Sequence, residues 1–229
     1  MPPHDSPVNP LDGSAPRSRA VRRRQSRASS VRGLPLRTLR VSAVLAYTDP
    51  PIWRRLELAS DLRLDELHHI LQAAFEWTGG HLHQFSTSDR TWDDGSTADL
   101  GGPLLGPAPE RESKTRLNQV LAAVGDHLDY VYDFGDNWQH VVMLDEIVEP
   151  TPGAPRARVI DGDRAAPLED CGGVPGYEDL VMALARPQRA DHTDLVEWYV
   201  EMYGGTPSDF DPAHVDLEAL DQAVRRVVG

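Results

Sequence analysis

Four segments of the sequence alternate apolar and polar residues with a period of two, which is the pattern of strands that bury one face. They lie at residues 39–47, 52–58, 128–134 and 138–149. Asp49-Pro50-Pro51 separates the first two segments and Gly135-Asp136-Asn137 the last two, and both are turn sequences. The sequence therefore predicts an antiparallel pair of strands near its start and a hairpin near its middle.

Other parts of the chain repeat apolar residues at intervals of three and four, as amphipathic helices do. The predicted helices cover residues 64–77, 115–124, 177–185, 195–203 and 217–228. Further strands are predicted at 81–85 and 157–160, and a long polar loop at 86–113. These elements favour the α+β class, in which a mainly antiparallel sheet carries packed helices, over a doubly wound parallel sheet. A chain of 229 residues suits one compact domain with a tail.

The N-terminal segment differs from the rest of the chain in composition. Residues 1–37 are rich in Pro, Ser and Arg and have no apolar periodicity, so we expect a disordered tail before a domain at 38–229. Residues 1–40 carry nine arginines and two acidic residues, a charge of +7, and the remainder carries −20 of the total of −13. A domain with this much negative charge repels the phosphate backbones of nucleic acids. The arginine-rich stretch 17–27 is either a contact for nucleic acid or an acidic partner, or a solvated extension, which is the commoner role of charge blocks.

Composition also bears on the compartment. No stretch approaches the roughly 20 apolar residues of a membrane-spanning helix, and the N-terminus lacks the apolar segment of a secretory signal. The only cysteine, Cys171, excludes an intrachain disulfide and suits a reducing compartment. We therefore expect a cytoplasmic protein that has no contact with membranes.

Two tracts place polar side chains beside bulky aromatic residues. They are the predicted strand His81-Leu82-His83-Gln84-Phe85 and the start of the hairpin's second strand, Asp136-Asn137-Trp138-Gln139-His140. If both tracts belong to one sheet, we expect a polar pocket, whose candidate residues are His81, His83, Asp133, Asp136 and His140. Such a pocket either holds a divalent metal or is a structural network of hydrogen bonds. The network is favoured and no cofactor is expected, because no HExxH or similar spacing is present.

Several common catalytic motifs are missing or accidental. Asp133-Phe134-Gly135 spells the metal-binding triplet of protein kinases, but the only lysine, Lys114, lies in a polar loop and the other kinase motifs are absent. The sequence has no GxSxG, P-loop or dinucleotide fingerprint. Cys171 would be a nucleophile only with a base beside it, and a free cysteine is more often a small buried apolar residue. No catalytic residue is therefore assigned from the sequence.

Taken together, the motifs resemble the Ri-plasmid ORF-3-like family, described also as the passenger TnpR-like protein of bacterial insertion elements. The motifs are PPIWRR (50–55), LHHILQAAFEWTGGHLHQF (67–85), YVYDFGDNWQHVV (130–142), LEDCGGVPGY (168–177), EW (197–198) and FDP (210–212). The resemblance covers about residues 38–224 and implies a compact, roll-like α+β fold of unknown biochemical role. Many relatives carry extra cysteines where this chain has Val159 and Ala166, which makes a thiol-based metal site less credible here.

Three hypotheses for the function follow. The leading one is a non-catalytic binding or accessory protein associated with mobile genetic elements, because the resemblance points there and no catalytic motif is present. The second is a metal-dependent hydrolase or nuclease that uses His81, His83, His140 and Asp136. The third is a DNA-binding accessory protein that is anchored by the arginine-rich tail.

Overall fold

A computed structural model describes residues 35–96, 108–204, 206 and 210–228. The strands are β1 (Thr38–Leu45), β2 (Ile52–Ala59), β3 (His83–Ser86), β4 (Thr91–Asp93), β5 (Glu110–Arg111), β6 (His127–Tyr132), β7 (Trp138–Val148) and β8 (Ala157–Asp163). The helices are α1 (Leu64–Ala74), α2 (Leu117–Val120), α3 (Gly173–Ala185), α4 (His192–Tyr203) and α5 (Leu217–Val227). The predicted disordered tail and the arginine-rich stretch 17–27 fall almost entirely outside the described residues and stay predictions.

All eight strands form one sheet in the order β5-β4-β3-β6-β7-β1-β2-β8. Every neighbouring pair is antiparallel except β4 and β5, which run parallel. Helix α1 packs against α5, which lies on β8, and their apolar side chains join those of the strands in one core. The predicted α+β class with a mainly antiparallel sheet is therefore confirmed.

Both predicted strand pairs form. Strands β1 and β2 pair from Thr38↔Ala59 to Leu45↔Ile52, and β6 and β7 pair from His127↔Met143 to Tyr132↔Trp138. Strand β1 also pairs with β7, so that the two hairpins become one sheet. Their period of two places the apolar residues of each strand toward the helices.

Some boundaries differ from the prediction. The loop predicted at 86–113 contains the short strands β4 and β5, which pair with each other, and residues 97–107 of that loop lie outside the described ranges. Helix α1 ends at Ala74 rather than at 77, because Glu76 takes a left-handed conformation with a φ of 59°. Helix α3 begins at Gly173 rather than at Tyr177.

Strand β2 contains a buried arginine, which the alternation of apolar and polar residues in its sequence does not predict. Arg54 is fully buried, whereas its neighbour Trp53 is only half-buried. The Arg54 guanidinium donates hydrogen bonds to the carbonyl oxygens of Ala74 (2.9 Å), Trp53 (2.9 Å) and Asp163 (3.0 Å). Burial lowers the pKa of Arg54 to about 10, so the side chain stays charged near neutral pH. The arginine thus ties the end of α1 to β2 and β8.

None of the helices formed by the described residues is long and apolar enough to cross a membrane.

Candidate functional site

Three separate segments of the chain meet beside the turn between β6 and β7. They contribute His81 from the loop before β3, Asp133 from the turn, and Asp170 from the segment before α3. The His81 Nδ1 atom lies 3.7 Å from Asp133 Oδ2, and the His81 Nε2 atom lies 3.3 Å from Asp170 Oδ1. We call these three residues the junction cluster. One ligand atom from each residue lies within 4.8 Å of the other two, which is close enough for the three side chains to share one ion.

The backbone around the junction cluster adopts conformations that most residues avoid. Asp133, Asn137 and Asp170 have φ values of 55°, 58° and 59°, in the left-handed region. At Asp133 the side chain supports this conformation, because its Oδ1 atom accepts a hydrogen bond from the Gly135 amide at 2.8 Å. Left-handed residues other than glycine concentrate at sites where the surrounding structure holds them in place.

Close packing locks the turn to the segment before α3. The Gly172 amide donates a hydrogen bond to Asp136 Oδ2 at 3.1 Å. Gly173 lies so near the same turn that a Cβ atom there would come within 3.0 Å of the Asp136 carbonyl oxygen. Only glycine allows this approach. The positions of Asp133 and Asp170 are therefore set by the fold rather than by their side chains alone.

Glu169 anchors the same segment to the sheet and to α1. The Tyr132 hydroxyl donates to Glu169 Oε1 at 2.5 Å, and the Thr78 amide donates to Glu169 Oε2 at 3.1 Å. The indole of Trp77 donates to the Pro167 carbonyl oxygen at 2.8 Å, and Tyr203 donates to the Glu169 carbonyl oxygen. Burial, and then the Glu169 carboxylate, raise the pKa of Tyr132, so the phenol keeps its proton.

His83 does not join the junction cluster. Its side chain is buried, and its Nε2 atom lies 2.9 Å from Glu112 Oε2, which is also buried. The His83 ring stacks on the ring of His68, with 3.6 Å between centroids and 7° between planes. This imidazole therefore supports the packing of β3 against α1 and the residues after β5.

His68 lies on the buried face of α1, and the helical spacing of the sequence gives no sign of its chemistry. Its Nδ1 atom lies 2.8 Å from the Tyr130 hydroxyl, which also accepts a hydrogen bond from Gln72 at 2.9 Å. The Tyr130 hydroxyl therefore links β6 to two residues of α1 that lie one turn apart, His68 and Gln72. Burial, and then the neighbouring His83, lower the pKa of His68 to about 3.

His140 lies in the core, separate from the junction cluster. Its ring centroid is 4.6 Å from that of Phe75 and 5.3 Å from that of Trp77, both in edge-on contacts. Neither ring nitrogen has a hydrogen-bond partner among the described residues. Burial lowers the pKa of His140 to about 3, so it is a neutral aromatic residue of the core.

The structure thus brings together two of the five residues proposed for the polar pocket, His81 and Asp133. Asp136 borders the junction cluster as the acceptor of the Gly172 amide, whereas His83 and His140 have the separate surroundings given above. Asp170 completes the cluster and was not among the five. Asp170 lies in a loop, and the spacing of residues in a loop does not indicate which turn that loop will contact.

Cys171 lies beside the cluster and is mostly buried. Burial, and then the charge of Asp136, raise the pKa of its thiol to about 12. The thiol is therefore protonated near neutral pH and is a poor nucleophile.

Exposed apolar side chains flank the junction cluster. Leu82 follows His81, and its carbonyl oxygen accepts a hydrogen bond from the Asp133 amide at 2.8 Å. Phe134 follows Asp133 and is 42% exposed, and Tyr203, which reaches the Glu169 carbonyl oxygen, is 41% exposed. Carboxylates and exposed apolar side chains therefore lie side by side on this part of the surface.

Comparisons with known proteins agree on one family. The model of the family "Plasmid pRiA4b ORF-3-like protein" matches residues 37–219. The uncharacterized protein y4hQ of Sinorhizobium fredii is 30% identical over 197 residues, which cover 81% of this chain and 90% of the relative. A crystal structure of MM3350, a protein of unknown function from Methanosarcina mazei, superposes with a TM-score of 0.67 at 28% identity, covering 81% of this chain and 98% of the other.

Proposed function

The chain belongs to the plasmid pRiA4b ORF-3-like family, and from that membership and the junction cluster we propose that it is a non-catalytic binding protein, an accessory of mobile genetic elements. The link to mobile elements rests on the family and its plasmid name. The binding role rests on the cluster, where the partly exposed His81 and Asp170 lie beside the buried Asp133 on a backbone fixed in advance. A site whose residues are already in position binds its ligand without the entropy cost of ordering those residues, and this raises the affinity.

The chemistry of the buried groups favours binding over catalysis. A nucleophilic enzyme needs a group with a pKa near the working pH and a base that touches it. The Cys171 thiol, with its pKa near 12, and the imidazoles of His68 and His140, with pKa values near 3, do not titrate there. The metal-dependent hydrolase hypothesis also loses support, because two of its three imidazoles, His83 and His140, serve the packing of the core.

The charge of the surface indicates what it binds. Asp133, Asp136 and Asp170 face no arginine or lysine within 4.0 Å among the described residues. Phe134 and Leu82 add exposed apolar area beside them. A partner with a cationic group next to an aromatic or aliphatic one complements this surface.

A photo-crosslinking amino acid at position 134, in place of Phe134, tests the proposal in cells that produce the protein. Position 124 is the matched control, because Val124 is 62% exposed and lies at the opposite end of the β6–β7 hairpin. We expect one discrete crosslinked product from position 134 and none from position 124. The product should disappear when Asp133 and Asp170 are both changed to Asn.

Turnover assays test the alternative, that the protein is an enzyme. Purified protein is incubated with single- and double-stranded DNA and with phosphate and carboxylate esters, in the presence of Mg²⁺, Mn²⁺ or Zn²⁺. We expect the wild-type protein to form no more product than a His81→Ala variant. Turnover that His81→Ala abolishes, or identical crosslinks from positions 134 and 124, would contradict the proposal.

A further inference from the structure

We infer that His81, Asp133 and Asp170 bind a divalent transition-metal ion of the Zn²⁺ or Mn²⁺ class. The inference rests on the proposed function and deepens it, because it names a ligand for the junction cluster. The ion would join the turn after β6 to the segment before α3.

The distances within the cluster are close to those of a coordination shell. Bonds of about 2.0–2.2 Å in a tetrahedral shell place neighbouring ligand atoms roughly 3.3–3.6 Å apart. His81 Nε2 and Asp170 Oδ1 are already separated by 3.3 Å. All three ligand atoms lie within 4.8 Å of one another. The Asp170 side chain is 50% exposed, so it has room to close the remaining gap.

Asp133 holds one of its carboxylate oxygens toward His81. The residue is only 8% exposed, and its Oδ1 atom accepts a hydrogen bond from the Gly135 amide. Its Oδ2 atom faces His81 Nδ1 at 3.7 Å, which is longer than a hydrogen bond. An ion binds only one of the two imidazole nitrogens, and one nitrogen of His81 lies within 4.8 Å of an oxygen of each carboxylate.

The type of ligand atom selects the class of ion. One imidazole nitrogen and two carboxylate oxygens suit Zn²⁺, Mn²⁺ and similar ions, whereas Mg²⁺ and Ca²⁺ prefer oxygen ligands throughout. The two carboxylates have no arginine or lysine within 4.0 Å in the described ranges, so the ion would also balance their charge. The competing arrangement is a His81 side chain that contacts both carboxylates without metal.

Equilibrium dialysis of the full-length, untagged protein distinguishes the two arrangements. The protein is stripped with a chelator and dialysed against Zn²⁺ or Mn²⁺, with Mg²⁺ as the comparison ion. The variants are His81→Ala and Asp170→Asn, and the matched control is His127→Ala, because His127 is an exposed histidine at the far end of β6. Binding of Co²⁺ is followed in parallel by its visible absorption.

We expect one Zn²⁺ or Mn²⁺ per chain in the wild type and in His127→Ala. Changes to the groups around a metal weaken binding by about 10–100-fold, so loss of a ligand should raise the Kd by at least about tenfold in both cluster variants. Asp170→Asn should leave the melting temperature of the metal-free protein unchanged, because the side chain is half exposed. Its lower affinity then cannot come from misfolding.

Failure of the wild type to bind either ion at micromolar concentrations would overturn the inference, as would equal affinity in His81→Ala. Neither result affects the proposed function, which depends on the crosslink at position 134 and on the absence of turnover. Conversely, a metal site that binds as expected but supports His81-dependent turnover would reject the non-catalytic role and keep the metal inference.

Discussion

Replacing Gly173 with Ala tests whether the close approach between the segment before α3 and the turn after β6 is needed by the fold. Gly173 has a φ of +68°, and a Cβ atom there would lie less than 3.0 Å from the Asp136 carbonyl oxygen. Two separate costs are therefore expected. Left-handed backbone costs a residue with a Cβ about 1–2 kcal/mol, and forcing extra volume into packed structure costs roughly 1–3 kcal/mol more.

Gly125 separates the two costs. Its φ is +94°, also left-handed, but an added Cβ would meet no atom within 4 Å. Gly125→Ala should therefore lose only the backbone contribution of about 1–2 kcal/mol, and Gly173→Ala about 2–5 kcal/mol in total. Urea denaturation at one temperature gives both free energies of unfolding, and equal m-values would show that the unfolded states are comparable.

Amide hydrogen exchange locates the effect within the molecule. The Gly172 amide donates to Asp136 Oδ2 at 3.1 Å, so its protection reports the contact between segment and turn. We expect Gly173→Ala to lower that protection more than it lowers the protection of β1, and Gly125→Ala to leave it as in the wild type. A loss of stability in Gly173→Ala no greater than in Gly125→Ala would refute the argument from close approach.

Three further substitutions test the packing that surrounds the cluster. Trp138 is fully buried, so Trp138→Ala should lower the free energy of unfolding by about 3–5 kcal/mol, and a loss below about 1 kcal/mol in urea denaturation would contradict its place in the core. Because the pKa of His140 falls from 6.5 to about 3, the unfolded chain binds more protons between those values and stability declines as the pH falls through them. His140→Phe should reduce that decline, and an unchanged slope in denaturation between about pH 7 and pH 4 would show that His140 is not its source. Tyr132→Phe leaves Glu169 Oε1 without its donor and should cost about 1–3 kcal/mol, whereas a neutral result in the same assay would mean that water replaces the hydroxyl.

Local patterns predicted most of the fold because they depend on neighbouring residues. The alternation in 128–134 and 138–149, with a turn between them, contains the information for the β6–β7 hairpin. The pairing of β1 with β7 joins residues about 100 positions apart, and no local pattern encodes it. Strands β4 and β5 were missed for a related reason, since segments of two or three residues are too short to show a period.

Arg54 is buried, although the charge of its side chain predicts an exposed residue. In IWRRLEL the strand period places Ile52, Arg54 and Leu56 on one face, and all three are buried. The arginine is accommodated because three backbone carbonyl oxygens surround its guanidinium. Those carbonyls come from β2, the end of α1 and the end of β8, which the sequence alone does not bring together.

The candidate site was predicted in part, and the two histidines of one tract show why. In an ideal strand over 81–85, His81 and His83 would point to the same face. Strand β3 instead begins at His83, so only His83 follows the pleat into the core, where it meets Glu112 and His68. His81 remains in the loop, and the hydrogen bond from the Asp133 amide to Leu82 holds that loop beside the turn. Substitution of His83 therefore disturbs a buried network, whereas substitution of His81 changes the junction cluster. Only the substitution of His81 tests what the junction cluster binds.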